Sequence, residues 1–455
     1  MHLPRLVIGA PASGHGKTTV ATGLMAALRA RGRRVAPAKV GPDFIDPGYH
    51  ALATGRPGRN LDPVLCGEER IVPLLLHGAR GSDLAIIEGV MGLFDGKFGT
   101  ESFGSTAHVA RLTRSPVVLV VDISHTSRTV AAWVHGLATF DPRLRVAGVI
   151  LNKAGSERHA SEAVRSLEAT GVEVLGVLHR DAGIVAPSRH LGLVPVAERD
   201  EAANELDRLA EQVAGAVNLD AVVAIAHSAP PLDDTPWDPA REVTRVPGEP
   251  VVAVAGGRAF TFRYPENTEL LTAAGCRVVE FDPLTEARLP EGTSGIVLGG
   301  GFPEVYAESL AQNAALTADI AARVRSGVPT IAECAGLLYL AHSLDGHPMA
   351  GVLPAKAAMD PKLVLGYRTA IASTDSVVAV AGARVQGHEF HRTRLTPAAG
   401  DEPGWLLDGR PDGYASSTLH ASYLHVHWAG FPDIARRFAV SAATCRDHLR
   451  QESAQ

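Results

Sequence analysis

Short apolar runs recur along the first half of the chain: Leu3 to Gly9, Leu84 to Glu88, Val117 to Asp122 and Val146 to Asn152 are almost unbroken, and Thr18 to Arg31 reads as a helix between the first two. A strand buried on both faces has no polar side with which to alternate, so runs of this length separated by helices predict a parallel α/β sheet. After Ala226 the pattern breaks into HSAPPLDDTPWDPAREVTRVPGEP, whose prolines and acids sustain neither a helix nor a central strand. A second α/β series starts at Val251 to Ala255, with a helix expected over Pro265 to Ala274 and strands at Ile296 to Leu298 and Thr330 to Ala332. The expected organisation is an α/β domain over 1–220, a linker over 221–249 and a second α/β domain over 250–447. It is preferred to one continuous domain because each half has its own strand series.

Composition narrows this picture. At about 150 residues per domain, 455 residues suit two or three domains. With 46% hydrophobic and 20% charged residues the chain is globular, and its formal charge of −6 gives no overall attraction to nucleic acid or to an anionic membrane. Cys66, Cys276, Cys334 and Cys445 are widely spaced and form no CxxC pair, which fits neither a disulfide framework nor a zinc site. No apolar stretch approaches the roughly 20 residues of a membrane span, and the N-terminus does not resemble a signal peptide. A cytoplasmic enzyme is expected.

The segment from Leu6 to Val20 runs from strand through GAPASGHGKTT into helix, the setting in which backbone N–H groups of a glycine-rich turn meet phosphate oxygens. Pro11 stands where the common GxxxxGK spacing has glycine, so this is a variant P-loop carried by Gly14, His15, Gly16, Lys17, Thr18 and Thr19. Lys17 is positioned for the β- and γ-phosphates of ATP and the Thr18 hydroxyl for Mg²⁺. Lys39 ends a predicted strand and opens AKVGPDFIDPGYH, with Asp43 and Asp46 in the loop. Glu88 ends another strand, and Asp95 follows in VMGLFDG. These four acids are expected to converge near the γ-phosphate. Asn152 and Lys153 follow a further strand, where the amide either reads a purine edge or caps the strand.

Three pieces of the second half carry chemistry. Gly299, Gly300 and Gly301 follow a strand, and consecutive glycines let backbone amides face a pocket as an oxyanion hole requires. In PTIAECAG a short strand runs straight into Cys334, a nucleophile elbow expected to lower the thiol pKa at a helix N-terminus. In ASYLHVHW, His425 and His427 are two apart and would share one face of a strand; spacing alone does not choose between them as the base. His388 and His391, flanking Glu389 in GHEFHRT, lack a third spaced metal ligand and are expected to line a pocket.

Taken together these motifs resemble the cobyrinic or hydrogenobyrinic acid a,c-diamide synthases of corrinoid biosynthesis, over essentially the whole chain. The first half is similar to P-loop domains of the dethiobiotin-synthetase type, through KVGPDFIDPGYH and EGVMGLFDG. The second is similar to class I glutamine amidotransferases of the cobyric-acid branch, through GGGFPE, AECAG, GHEFHRT and SYLHVHW. The resemblance implies ATP- and glutamine-dependent amidation of two corrinoid carboxylates, in an enzyme expected to be a homodimer. Cys334 would be the nucleophile, His425 the base, and Gly300 and Gly301 the oxyanion hole. Mg²⁺ would lie at Thr18 and Glu88. Asp43, Asp46 and Asp95 would help to place the activated carboxylate or metal, and Ile45 would lie in the substrate loop. Lys39 and Arg59 are candidate cations for the substrate's carboxylates. In ordinary class I enzymes a glutamate two residues after the histidine orients it; here His427 takes that place, leaving the orientation of His425 open. A sibling amidotransferase making cobyric acid, a partitioning-type nucleotide switch and a stand-alone glutaminase are the rival readings. The KVGPDFIDPGYH loop, Cys334 with its glycines, and the fused P-loop half count against them in turn.

Overall fold

A computed structural model describes residues 2–180, 188–189, 192–193 and 202–453. The chain divides into two compact units, Met1–Trp237 and Asp238–Gln455.

In the first unit the strands are β1 (Arg5–Gly9), β2 (Val35–Val40), β3 (Arg59–Leu61), β4 (Leu84–Glu88), β5 (Val117–Asp122), β6 (Val146–Ala154) and β7 (Val174–His179). They form a parallel sheet in the order β3-β2-β4-β1-β5-β6-β7. Every residue of β1, β2 and β4 is buried, which is why these segments read as continuous apolar runs. Strands β2 to β4 lie on one side of β1 and β5 to β7 on the other. The winding therefore reverses at β1, and the loops leaving its carboxyl end part to form a crevice. Helix α1 (Lys17–Ala30) leaves this edge and packs on α3 (Ala202–Ala216), with α2 (Asp46–Thr54) between them in the chain. The α1–α3 approach requires Gly23, where a Cβ would lie 2.6 Å from the Val213 side chain.

The expected linker differs from what the structure shows. Residues 221–227 belong to helix α4 (Leu219–His227), whose Leu219, Val222, Ile225 and Ala226 enter the core of the first unit. Beyond it, the buried Arg5 guanidinium donates to Pro230 O at 2.7 Å, and Trp237 is buried with its N–H bonded to Pro73 O at 2.9 Å. Proline ends helices, as the sequence suggested, but the Pro-rich segment as far as Trp237 is bound to the first unit by these groups.

The second unit contains β8 (Val251–Ala255), β9 (Arg277–Phe281), β10 (Thr293–Leu298), β11 (Thr330–Glu333), β12 (Lys356–Ala372), β13 (Arg384–Thr396), β14 (Tyr414–Ala415) and β15 (Leu419–Ser422). One sheet runs β9-β8-β10-β11-β15-β14, parallel except for its last pair. A second sheet is built on the long β12–β13 hairpin, which the sequence did not disclose. Helices α5 (Pro265–Ala273), α6 (Ala335–Leu340) and α7 (Asp433–Ser453) complete the part used below. Among the described residues no helix is long and apolar enough to cross a membrane.

Candidate active sites

In the first unit, β1 delivers the chain into the glycine loop at the sheet's carboxyl edge. Gly14 and Gly16 have φ of 86° and 88°, a conformation L side chains rarely adopt. Lys17 is buried at the start of α1, and its Nζ donates to Ala12 O at 3.2 Å and Met91 O at 2.6 Å. Burial and the nearby Lys39 ammonium lower its pKa to about 8, against the pull of Glu88, Asp46 and Asp95. The loop is braced from β6: Asn152 Nδ2 donates to His15 O at 3.0 Å, and Lys153 Nζ to Gly14 O at 3.1 Å and Asp122 Oδ2 at 2.7 Å. Asn152 thus supports the P-loop backbone. His15 accepts the Asp122 N–H through Nδ1 at 2.9 Å. Thr19 follows in the first turn of α1.

Registry sets the carboxylates. Glu88 is level with Ile8 of β1 and Lys39 of β2. Completely buried, it accepts from Thr18 Oγ1 at 2.7 Å and Lys39 Nζ at 2.9 Å on one oxygen, and meets His50 Nε2 at 2.6 Å on the other. Lys39 and His50 keep its pKa depressed despite burial. Lys39 Nζ also contacts Asp46 Oδ2 at 2.6 Å; although burial alone would lower the amine, Asp46, Glu88 and Asp43 raise it. Burial and Asp43 push Asp46 up. Asp43 Oδ1 accepts the N–H groups of Ile45 and Asp46 at 2.7 and 2.9 Å, and so holds the start of α2 and the buried Ile45 in place.

The four acids are divided between two lysines, with Glu88, Asp46 and Asp95 all acting on Lys17. Asp43, Asp46 and Glu88 surround Lys39, whereas Asp95 is exposed, accepts Gly92 N–H at 3.0 Å and acts on Lys17. Nor is Lys39 a cation open to substrate: it is 3% exposed and held by two carboxylates. Arg59 opens β3 and is buried, with its side chain against Gly78. His50, which the sequence reading passed over, lies within the quoted loop motif and closes the network on Glu88.

In the second unit, Cys334 stands between β11 and α6 with φ 49° and ψ −97°, a strained turn for a residue with a Cβ. Its N–H donates to Ser422 O at 2.8 Å, and Gly336 N–H donates to Gly299 O at 3.0 Å, tying the elbow to β15 and to the glycine loop. Gly300 and Gly301 are required by close approach: a Cβ on Gly300 would lie 2.3 Å from His425 Cε1, and one on Gly301 2.1 Å from Ala259 O. The thiol pKa is not lowered as the elbow suggested. Burial and Glu304 push it up, with Glu333 and Glu389 adding to the effect, and the Ala335 amide of a six-residue helix does not offset them.

The two histidines of ASYLHVHW do not share a face, because the regular strand ends at Ser422. His425 is bonded reciprocally to the backbone of His388, N–H to O at 2.9 Å in both directions. Its ring lies against Gly300, with Nδ1 4.0 Å from Glu333 Oε2. Burial, His388 and His391 lower its pKa to about 3, so it is neutral near pH 7. His427 instead stacks on Tyr264, with ring centroids 4.3 Å apart, and its Nε2 is 3.5 Å from Glu266 Oε2. His391 stacks on Tyr423 at 3.8 Å, and Glu389 bonds Arg368 at 2.5 Å. Among the described residues no group of histidine, cysteine or acidic side chains forms a metal cluster. Glu333 was not singled out from sequence, although it adjoins the cysteine, and Glu304 and Glu389 were read only as members of their motifs.

A P-loop sheet and a cysteine elbow with an adjacent histidine define a chain that pairs a nucleotide-binding unit with a glutamine amidotransferase unit. Consistent with this, residues 6–194 match the CobQ/CobB/MinD/ParA nucleotide binding domain family and residues 251–432 the CobB/CobQ-like glutamine amidotransferase domain family. Hydrogenobyrinate a,c-diamide synthase of Thermobifida fusca is 59% identical, with 98% of each chain covered. The protein of that name from Streptomyces coelicolor is 53% identical, covering 97% of this chain and 98% of its own. Cobyrinate a,c-diamide synthase of Gloeobacter violaceus is 46% identical, covering 95% and 96%. The chain belongs to the family of cobyrinate and hydrogenobyrinate a,c-diamide synthases.

Proposed function

We propose that this enzyme uses ATP and glutamine to amidate the a and c carboxylates of hydrogenobyrinic or cobyrinic acid. The observation that carries the reading is the presence in one chain of a braced P-loop beside a carboxylate hub and of a cysteine elbow whose glycine loop packs on His425. At the elbow, Cys334 Sγ attacks the side-chain amide of glutamine while His425 takes the thiol proton and returns it to the departing ammonia. The backbone amides of Gly300 and Gly301 serve the oxyanion, and water then releases glutamate from the thioester. Starting from a neutral imidazole and a raised thiol pKa, this proton transfer must be coupled to attack rather than precede it.

In the first unit the amides from Gly14 to Thr19 cradle the phosphates, and Lys17 exchanges its bonds to Ala12 O and Met91 O for phosphate oxygens. The Thr18 hydroxyl lies within hydrogen-bond reach of both Glu88 and Asp46, a set of hard oxygens that fits Mg²⁺ when nucleotide phosphates complete the shell. Bound there, Mg²⁺ supplies charge neutralisation for the transferred phosphoryl group. Asp43 and Ile45 fix the loop that begins α2, and Asp95, which acts on Lys17, would help to place the activated carboxylate. Transfer of the γ-phosphoryl group to that carboxylate gives an acyl phosphate and ADP; ammonia then displaces phosphate to form the amide. We further propose a cytoplasmic homodimer, on the family resemblance.

The test separates the two sites. Cys334→Ala is expected to lose glutamine-dependent amidation and to keep ammonia-dependent amidation. Loss of both, in a folded protein, would argue against two separable reactions.

A further inference from the structure

We infer that Glu333, the residue immediately before the nucleophile, is the positioning acid for His425, replacing the acid that ordinarily follows the histidine. In the usual arrangement that acid comes two positions after the histidine. Here His427 stands at that position, turned to Glu266 and Tyr264, and brings no carboxylate to His425. The acid comes instead from the neighbouring strand, where Glu333 is level with Ser422. Glu333 ends β11, so the elbow that presents Cys334 also fixes the carboxylate, whose Oε2 is 4.0 Å from His425 Nδ1. His425 is 1% exposed and the Glu333 side chain 17%, so water does little to screen the pair.

Once Glu333 is ionised, its carboxylate on Nδ1 holds the proton there and leaves Nε2 as the acceptor for the thiol. When the thiol proton arrives at Nε2, the imidazolium forms beside an anion rather than alone in a buried site. Catalytic hydrogen bonds are often long before substrate binds, and 4.0 Å closes to bonding distance with a small ring or side-chain adjustment. Burial raises the Glu333 pKa to about 8, and the Val426 amide and Trp428 indole only partly oppose this. The other ionisable groups around the pair are Glu304 and Glu389, acting on Cys334, and His388 and His391, acting on His425.

The inference rests on Cys334 and His425 being the glutaminase pair. A Cys334→Ala enzyme that still hydrolysed glutamine would remove that reading, whereas a fully active Glu333→Gln enzyme would remove only the role of Glu333. In the full-length enzyme, Glu333→Gln is expected to lower the kcat of glutamine hydrolysis about 100-fold with KM little changed. It should also abolish the rise of kcat/KM with pH through the Glu333 titration. Glu333→Asp should restore part of both, and ammonia-dependent amidation should persist in each variant. Unchanged kcat, or a lower kcat with the pH profile unaltered, would overturn the positioning role. Nitrogen-15 NMR of histidine-labelled wild-type enzyme gives a second test that needs no variant. The proton of His425 is expected on Nδ1 above the Glu333 titration, and finding it on Nε2 would overturn the inference.

Discussion

At the scale of single residues, the two sites make different demands on neighbouring atoms. Gly300 leaves no room for a Cβ, which would lie 2.3 Å from the His425 ring. Gly300→Ala should therefore displace the base and reduce glutamine hydrolysis by at least about 100-fold, leaving ammonia-dependent amidation unchanged; steady-state assays with the two nitrogen donors check this. Lys17 gives the opposite pattern. Lys17→Ala should abolish amidation with either donor and spare glutamine hydrolysis, since its amine serves only the phosphate site. Lys17 and Cys334 were legible in the sequence because each stands in a turn motif between strand and helix. Glu333 was not, because nothing in AECAG says that a carboxylate beside the cysteine will turn toward a histidine about 90 residues downstream. The choice between His425 and His427 was likewise closed to periodicity, since it depends on the strand ending at Ser422.

At the scale of elements, the parallel strands were readable because double-sided burial writes itself as an unbroken apolar run. The β12–β13 hairpin was not readable. Its first strand is largely half-exposed, carries Pro361 and shifts register between Met359 and Val364, so neither a continuous run nor a clean alternation marks it. Strand registry also makes the buried network testable. Lys39 neutralises Glu88 and Asp46 across β2, β4 and α2, so Lys39→Met leaves two buried acids without their cation. It should cost about 3–5 kcal/mol in urea unfolding. In the second unit, His420 is buried beside Trp405, with ring centroids 4.7 Å apart, and burial lowers its pKa from 6.5 to about 3. A histidine held neutral on folding contributes stability that is complete above pH 6.5 and is lost as pH falls toward 3. The slope is up to about 1.4 kcal/mol per pH unit. Glu333 and Asp412, with raised values, act in the opposite sense. The His420 effect is therefore isolated by comparison with His420→Asn, whose unfolding free energy should fall less steeply with acid over that range.

At the scale of the whole molecule, one chain carries two chemistries that share ammonia: an electrophile-forming kinase-like step and a glutaminase. The overall fold class was legible because each unit repeats the alternation of apolar run and helix, whereas the extent of the linker was not. Residues bearing proline and acid were bound into the first unit by Arg5 and by the burial of Trp237, contacts that local composition does not encode. The central claim is that glutamine nitrogen, delivered through Cys334, ends on two activated corrinoid carboxylates. The most direct measurement is mass spectrometry of hydrogenobyrinic acid and cobyrinic acid incubated with the enzyme, ATP and amide-nitrogen-15 glutamine. The expected result is a diamide carrying two labelled nitrogens from at least one of these acids, formed only when ATP is present. ATP hydrolysis with no labelled product from either acid would contradict the claim.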